Sequence, residues 1–145
     1  MYSVEEFDNY KTKVLKYIMY KKRSEYEIRN KFIGQIEEDV LDDIIQYLKD
    51  TDYINDTRYI DKTIREHMSL KNLSIKELIY KLCAKGISKG LIEEYTENNQ
   101  EMLNTYEQES IQNIIFKKQK SMDQQELKQY LFKKGYKPDN IDELL

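Results

Sequence analysis

Ser24-Glu25-Tyr26-Glu27-Ile28, Ser74-Ile75-Lys76-Glu77-Leu78 and Asp123-Gln124-Gln125-Glu126-Leu127 are three versions of one phrase. Each opens on a side-chain oxygen that can accept from an early helical N–H. A glutamate three residues later can reach back to the cap's own N–H, which makes a capping box. An aliphatic residue follows each acid, and a second apolar residue lies four further on, at Phe32, Leu82 and Leu131. The caps stand 50 and 49 residues apart. One capping box is common; three in register define a repeat.

Outward from the caps the register continues. Lys85-Gly86-Ile87 and Lys134-Gly135-Tyr136 both place glycine twelve residues after the cap, where positive φ can end a helix. The first repeat has Ile36 at that offset and Gly34 two earlier, so its second helix should end differently. Each repeat resolves into three helices: 5–22, 25–33 and 38–50; then 57–70, 75–85 and 89–97; then 101–119, 124–134 and a short piece after Pro138. Phe7, Tyr10, Val14, Tyr17 and Ile18 share one helical face, as do Ile60, Ile64 and Met68, and as do Val40, Leu41, Ile44, Ile45 and Leu48. The fold class is therefore all-α, an elongated array of three tandem three-helix repeats, 1–54, 55–99 and 100–145. Such units have too little core alone and stack on their neighbours. Asn98-Asn99-Gln100 is the expected joint.

Composition agrees with a thin helical protein. Charged residues make up 35% of the 145, and four glycines with one proline leave too few turn residues for an all-β chain. Lysine outnumbers arginine 20 to 4 and Ala84 is the lone alanine, a bias that an AT-rich genome explains. The thirteen tyrosines are thus no nucleic-acid signal in themselves. The net charge of −3 hides a polarity: residues 1–36 hold eight basic and five acidic groups, residues 37–56 one basic and eight acidic. No apolar run approaches the roughly 18 residues of a membrane span, and the acidic start lacks a signal-peptide core. A soluble, cytoplasmic monomer is expected.

Tyr17-x4-Lys22-Arg23-Ser24-x2-Glu27-Ile28-x2-Lys31-Phe32 resembles the opening motif of the RecX family. Tyr53-Ile54-Asn55-Asp56-x-Arg58-Tyr59-Ile60 looks like that family's most recognisable segment, and Lys85-Gly86-Ile87-Ser88 is similar to its later element. The resemblance covers about residues 14–135. It implies a three-helix repeat fold and a regulatory protein of DNA repair, recombination and the SOS response. Such a protein lodges on the RecA filament on single-stranded DNA and restrains its ATPase, strand exchange and growth. It implies no catalytic residue and no cofactor. Many relatives carry longer N-terminal segments than this chain. The Asn55-Asp56 string also has a purely structural reading: Asp56 as N-cap, with Tyr53, Ile54 and Tyr59 packing across the junction.

Two basic stripes are the candidate contact surface. At 100° per residue Arg58, Lys62 and Arg65 fall within about 60° of one another, opposite Ile60, Ile64 and Met68. Lys13, Lys16, Tyr20 and Arg23 lie opposite Phe7, Val14 and Ile18. Long cations on a rigid helix can pair with carboxylates of a filament subunit or follow phosphates, and Tyr20 can stack. The competing reading is an ordinary solvated face, with Asp61 and Glu66 flanking the second stripe. Lys117, Lys118 and Lys120 scatter and make no stripe. The block Glu37-Glu38-Asp39 with Asp42 and Asp43 suits a helix start.

No catalytic constellation is present. His67 is the single histidine and Cys83 the single cysteine, so neither a multi-His metal site nor a disulfide can form. Cys83 reads as a buried thiol and His67 as a packed or partly exposed side chain. No glycine-rich phosphate loop occurs. Two rivals stand beside a non-enzymatic RecA regulator. One is a nucleic-acid-binding helical repeat, which net acidity disfavours; the other is a scaffold for an unrelated protein. Weak or no binding to naked DNA is expected of the regulator.

Overall fold

The computed structural model describes residues 2–70 and 72–145, which contain nine helices and no strand. In chain order they are α1 Val4–Tyr20, α2 Glu25–Phe32, α3 Glu38–Asp50, α4 Asp56–Leu70, α5 Ile75–Ala84, α6 Lys89–Asn98, α7 Gln100–Lys118, α8 Gln124–Lys134 and α9 Pro138–Leu144. Every helix expected from apolar spacing is present, each end within about two residues. The capping boxes at Ser24 and Asp123 are fully formed. At Ser74 the hydroxyl accepts from the Glu77 N–H at 3.1 Å and the Glu77 carboxylate accepts from the Ser74 N–H at 3.0 Å.

The chain divides into two compact units. The first runs to Ile60 and includes Lys85–Ile87. Its core gathers Val14 and Ile18 of α1, Ile28 and Phe32 of α2, and the inward face of α3 from Val40 to Leu48. Phe32 meets the Tyr17 ring edge-on at 5.7 Å. Each of these fully buried aliphatic side chains is worth about 1.5–3 kcal/mol, which is why α2, only eight residues long, holds its shape. After α3 the chain turns through Asp52 at φ 65, while the N–H groups of Tyr53 and Ile54 both donate back to the Leu48 carbonyl. Asp52 supplies there the left-handed residue that glycine usually provides.

The second unit holds 61–84 and 88–145. Here α7 packs on α8 and α9 through Ile111, Ile114, Leu131, Tyr136 and Ile141. Glu107 is wholly buried in α7 and accepts from the Ile75 N–H at 3.1 Å, the Lys137 N–H at 2.8 Å and Asn140 Nδ2 at 3.1 Å. One carboxylate therefore caps the starts of two helices, α5 and α9. A single residue, Asn99, separates α6 from α7 at the expected joint.

Three local expectations need correction. Asn55 rather than Asp56 caps α4: its Oδ1 accepts from the Arg58 N–H at 2.9 Å. Asp56 instead accepts from the Glu25 N–H, the first of α2, at 3.1 Å. Tyr53 is half exposed, although Ile54 and Tyr59 are buried as expected. Cys83 is exposed, because Ile75, Leu78 and Leu82 define the inward face of α5 and the residue after Leu82 turns 100° away.

The Asp56 carboxyl is pushed above its ordinary value by burial, with Glu25 and Glu27 adding to it against the Glu25 N–H. A raised native value means that the fold holds this proton more tightly than the unfolded chain does. That stability is complete below the unfolded carboxylate range and is lost as pH rises through the native value. Asp56→Asn keeps an acceptor for Glu25 and cannot ionise. Its urea midpoint should therefore rise relative to the wild type's between about pH 4 and pH 7. Parallel curves for the two proteins would refute this assignment.

Candidate contact surface

The first stripe splits where α1 ends. Helix α1 stops at Tyr20, and Lys21 is extended at φ −159, so Arg23 lies in the connector and not on the helix face. Lys13, Lys16 and Tyr20 are exposed, Tyr20 at 86%, on the side of α1 away from Val14 and Ile18. Lys13 Nζ sits 5.8 Å from the Tyr10 ring centre. No ion pair involves Lys13 or Lys16 among the described residues.

Arg23 is held differently. Its guanidinium lies 4.1 Å from the Tyr17 ring centre, and Lys31 approaches the same ring at 5.8 Å. Arg23 Nε is buried without a hydrogen-bond acceptor. Cation–π attraction of about 0.5–2 kcal/mol offsets part of that loss. The candidate stripe left out Lys21, Lys22 and Lys31, which are also exposed around this connector. The family-like string Lys22-Arg23 was the available signal.

The second stripe is charge-compensated. Arg58 pairs with Asp52 at 2.5 Å, Lys62 with Glu66 at 3.8 Å, and Arg65 Nε with both oxygens of Asp61 at 3.0 Å. The Arg58 hydrogen bond, helped by Asn55, holds the Asp52 carboxyl below its ordinary value. Asp61 is lowered in the same way by the Tyr95 hydroxyl, which donates at 2.7 Å, and by Arg65. Each cation is thus brought onto an acid and not onto another cation. Exposed pairs of this kind are worth about 0–1 kcal/mol, so a partner carboxylate could displace them at little cost.

Among the described residues no cluster of three or more His, Cys, Asp or Glu side chains could hold a metal ion. No described helix is long and apolar enough to cross a membrane.

No protein-family model matches the chain. It is 30% identical to regulatory protein RecX of Clostridium acetobutylicum over 152 residues, which covers 97% of this chain and 70% of that one. Against regulatory protein RecX of Listeria welshimeri it is 33% identical, over 86% of this chain and 48% of the relative. With that of Finegoldia magna it shares 34% over 57% of this chain and 41% of the relative. The chain thus spans between about two fifths and seven tenths of these relatives. The fold matches the crystal structure of RecX from Lactobacillus salivarius with a TM-score of 0.83 at 24% identity, covering 98% of this chain and 96% of that one. Identity that runs through 97% of the chain, on a fold so matched, makes this chain a member of the RecX family of regulatory proteins.

Proposed function

We propose that this chain docks on the RecA filament assembled on single-stranded DNA and restrains its ATPase, strand exchange and growth, without catalysing a reaction of its own. Family membership supports the partner. The observation that carries the contact surface is the face of α1 where Lys13, Lys16 and Tyr20 stand exposed, with no ion pair to either lysine among the described residues. Carboxylates of a filament subunit are its first partners and DNA phosphates its second. Arg58, Lys62 and Arg65 join the contact by exchanging their internal acids for partner acids, and Arg23 follows from its seat on Tyr17. The protein acts as a cytoplasmic monomer in DNA repair and recombination. It is built of three modules, 1–54, 55–99 and 100–145, a reading supported by the recurrence of cap, acid and glycine turn.

The test is RecA ATP hydrolysis on single-stranded DNA, titrated with the protein at substoichiometric ratios. Wild type should inhibit. Lys13→Glu/Lys16→Glu/Tyr20→Ala should need about tenfold more protein or worse for the same inhibition, a loss of about 1.4 kcal/mol or more, with unchanged helicity. Full potency in the triple variant would remove the α1 face, and no inhibition by wild type would remove the filament reading. Without RecA, affinity for single-stranded DNA should be weak and fall steeply with salt. Tight naked-DNA binding would favour a nucleic-acid-binding protein instead.

A further inference from the structure

The chain has four arginines, and carboxylates within the fold engage three of them. Arg29 holds Glu25 and Asp42, Arg58 holds Asp52, and Arg65 takes both oxygens of Asp61. Arg23 breaks the pattern. Among the described residues its guanidinium makes no ion pair, and its Nε is buried without an acceptor. A buried orphan donor is rare in a folded protein and calls for a partner.

The side chain is nonetheless held in place. Its guanidinium carbon lies 4.1 Å from the Tyr17 ring centre, and the Phe32 ring sets Tyr17 edge-on at 5.7 Å. Its backbone runs directly into Ser24, the buried cap of α2. A fork so seated loses little freedom when it takes a ligand. The acids around it are occupied. Glu27 lies within range of the Arg23 charge, yet its carboxylate serves the Ser24 N–H at 3.1 Å, the Tyr59 hydroxyl at 2.8 Å and Lys85 at 3.8 Å. Asp52, within range of Lys22, holds Arg58 at 2.5 Å. Lys31 stands 5.8 Å from the same Tyr17 ring centre, and Lys21 and Lys22 precede Arg23 in the connector. All three lysines are exposed, with no ion pair among the described residues.

We infer that Arg23, seated on Tyr17 with Lys31 at the same ring, is a binding site for a phosphate group. A carboxylate has two coplanar oxygens, and one guanidinium satisfies it, as the other arginines here show. A phosphate points its oxygens in several directions, so it can bridge the Arg23 fork and a lysine ammonium together. Four cations without an ion pair, along one connector and the helix after it, suit the phosphate. The inference deepens the filament reading at this one point, by naming phosphate before carboxylate as the group Arg23 takes. Its test needs no RecA.

Arginine Nε–H groups give their own signals in 15N–1H spectra, and Arg23→Lys identifies one of the four by its loss. The full chain is titrated with pyrophosphate, with a short oligothymidylate, with acetate, and with sodium chloride at matched ionic strength. The Arg23 signal should shift and saturate with both phosphate probes, while those of Arg29, Arg58 and Arg65 stay in place. Acetate should need at least about tenfold more ligand for the same shift. Tyr17→Leu, which keeps every charge, should weaken pyrophosphate binding about threefold or more with helicity unchanged. Tighter binding of oligothymidylate per phosphate makes a nucleic-acid strand the source, tighter binding of pyrophosphate a free phosphate, and either supports the site. Equal shifts with acetate or chloride would overturn it, as would an Arg23 signal that pyrophosphate leaves unmoved. RecA inhibition by wild type beside such a failure would leave the filament reading standing.

Discussion

Glu107→Ala should cost the second unit about 3–5 kcal/mol, seen as a lower urea midpoint by circular dichroism. The figure follows from what the carboxylate holds. Oε2 takes the Ile75 N–H and Oε1 takes the Lys137 N–H, at the starts of α5 and α9, and both would lose their acceptor inside the fold. Each orphaned N–H costs about 1–3 kcal/mol, and the lost Cγ and carboxyl group leave a void besides. Asn140 suffers less, because its Nδ2 also donates to Asn104 Oδ1 at 2.9 Å. Glu107→Gln separates the two oxygens. Its amide oxygen can keep Lys137 and Asn140, but the amide nitrogen then points a donor at the Ile75 N–H. An intermediate loss of about 1–3 kcal/mol is expected. If alanine were tolerated within about 1 kcal/mol, water would be serving these N–H groups and the carboxylate would not be tying the two helices together.

Glu107 also shows where sequence reading stops. Caps are local: Ser24, Ser74 and Asp123 each find their N–H within three residues, so the pattern carries its own geometry. The apolar faces of α1, α3 and α4 were legible for the same reason, since 3.6-residue spacing needs no knowledge of the partner. A buried glutamate breaks that logic. Glu107 and Ser110 share the inward side of α7 with Leu103, Tyr106 and Ile111, so the helix lacks a clean apolar stripe. Its acid looked like any of the 27. Asn55 and Asp56 failed differently. Both can cap, and the choice turned on the Glu25 N–H arriving from 31 residues away. The hydrogen bonds from Ser24 to the Lys85 carbonyl and from Ser74 to the Lys134 carbonyl were visible only as halves: serine and Lys-Gly appeared as separate signals, 61 and 60 residues apart, and nothing local says that one donates to the other. Among the contact residues, exposure of Lys13, Lys16 and Tyr20 was legible from the helical wheel. The compensation of Arg58 by Asp52 required the left-handed turn after α3.

Gly86→Ala should lower stability by about 3 kcal/mol, whereas Gly34→Ala should lower it by about 1 kcal/mol, although the two backbones are nearly alike. Their φ angles are 77° and 80°, so a Cβ meets the same left-handed penalty of about 1–2 kcal/mol at either position. What differs is the space beyond. At Gly34 nothing lies within 4 Å of the new carbon. At Gly86 it would fall 2.1 Å from Tyr26 Cγ and 2.3 Å from Tyr26 Cβ, so α2 itself would have to shift. Overpacking of that kind adds about 1–3 kcal/mol, and the shift would loosen the hydrogen bond from Ser24 to the Lys85 carbonyl. A second substitution sharpens the comparison. Tyr26→Ala removes the ring but keeps the Cβ, so Tyr26→Ala/Gly86→Ala should recover only part of the loss, with a coupling smaller than the full excess of Gly86 over Gly34. Complete recovery would put the cost in the ring alone. Equal losses at Gly86 and Gly34 would mean that backbone strain is the whole effect and that the Tyr26 contact contributes nothing.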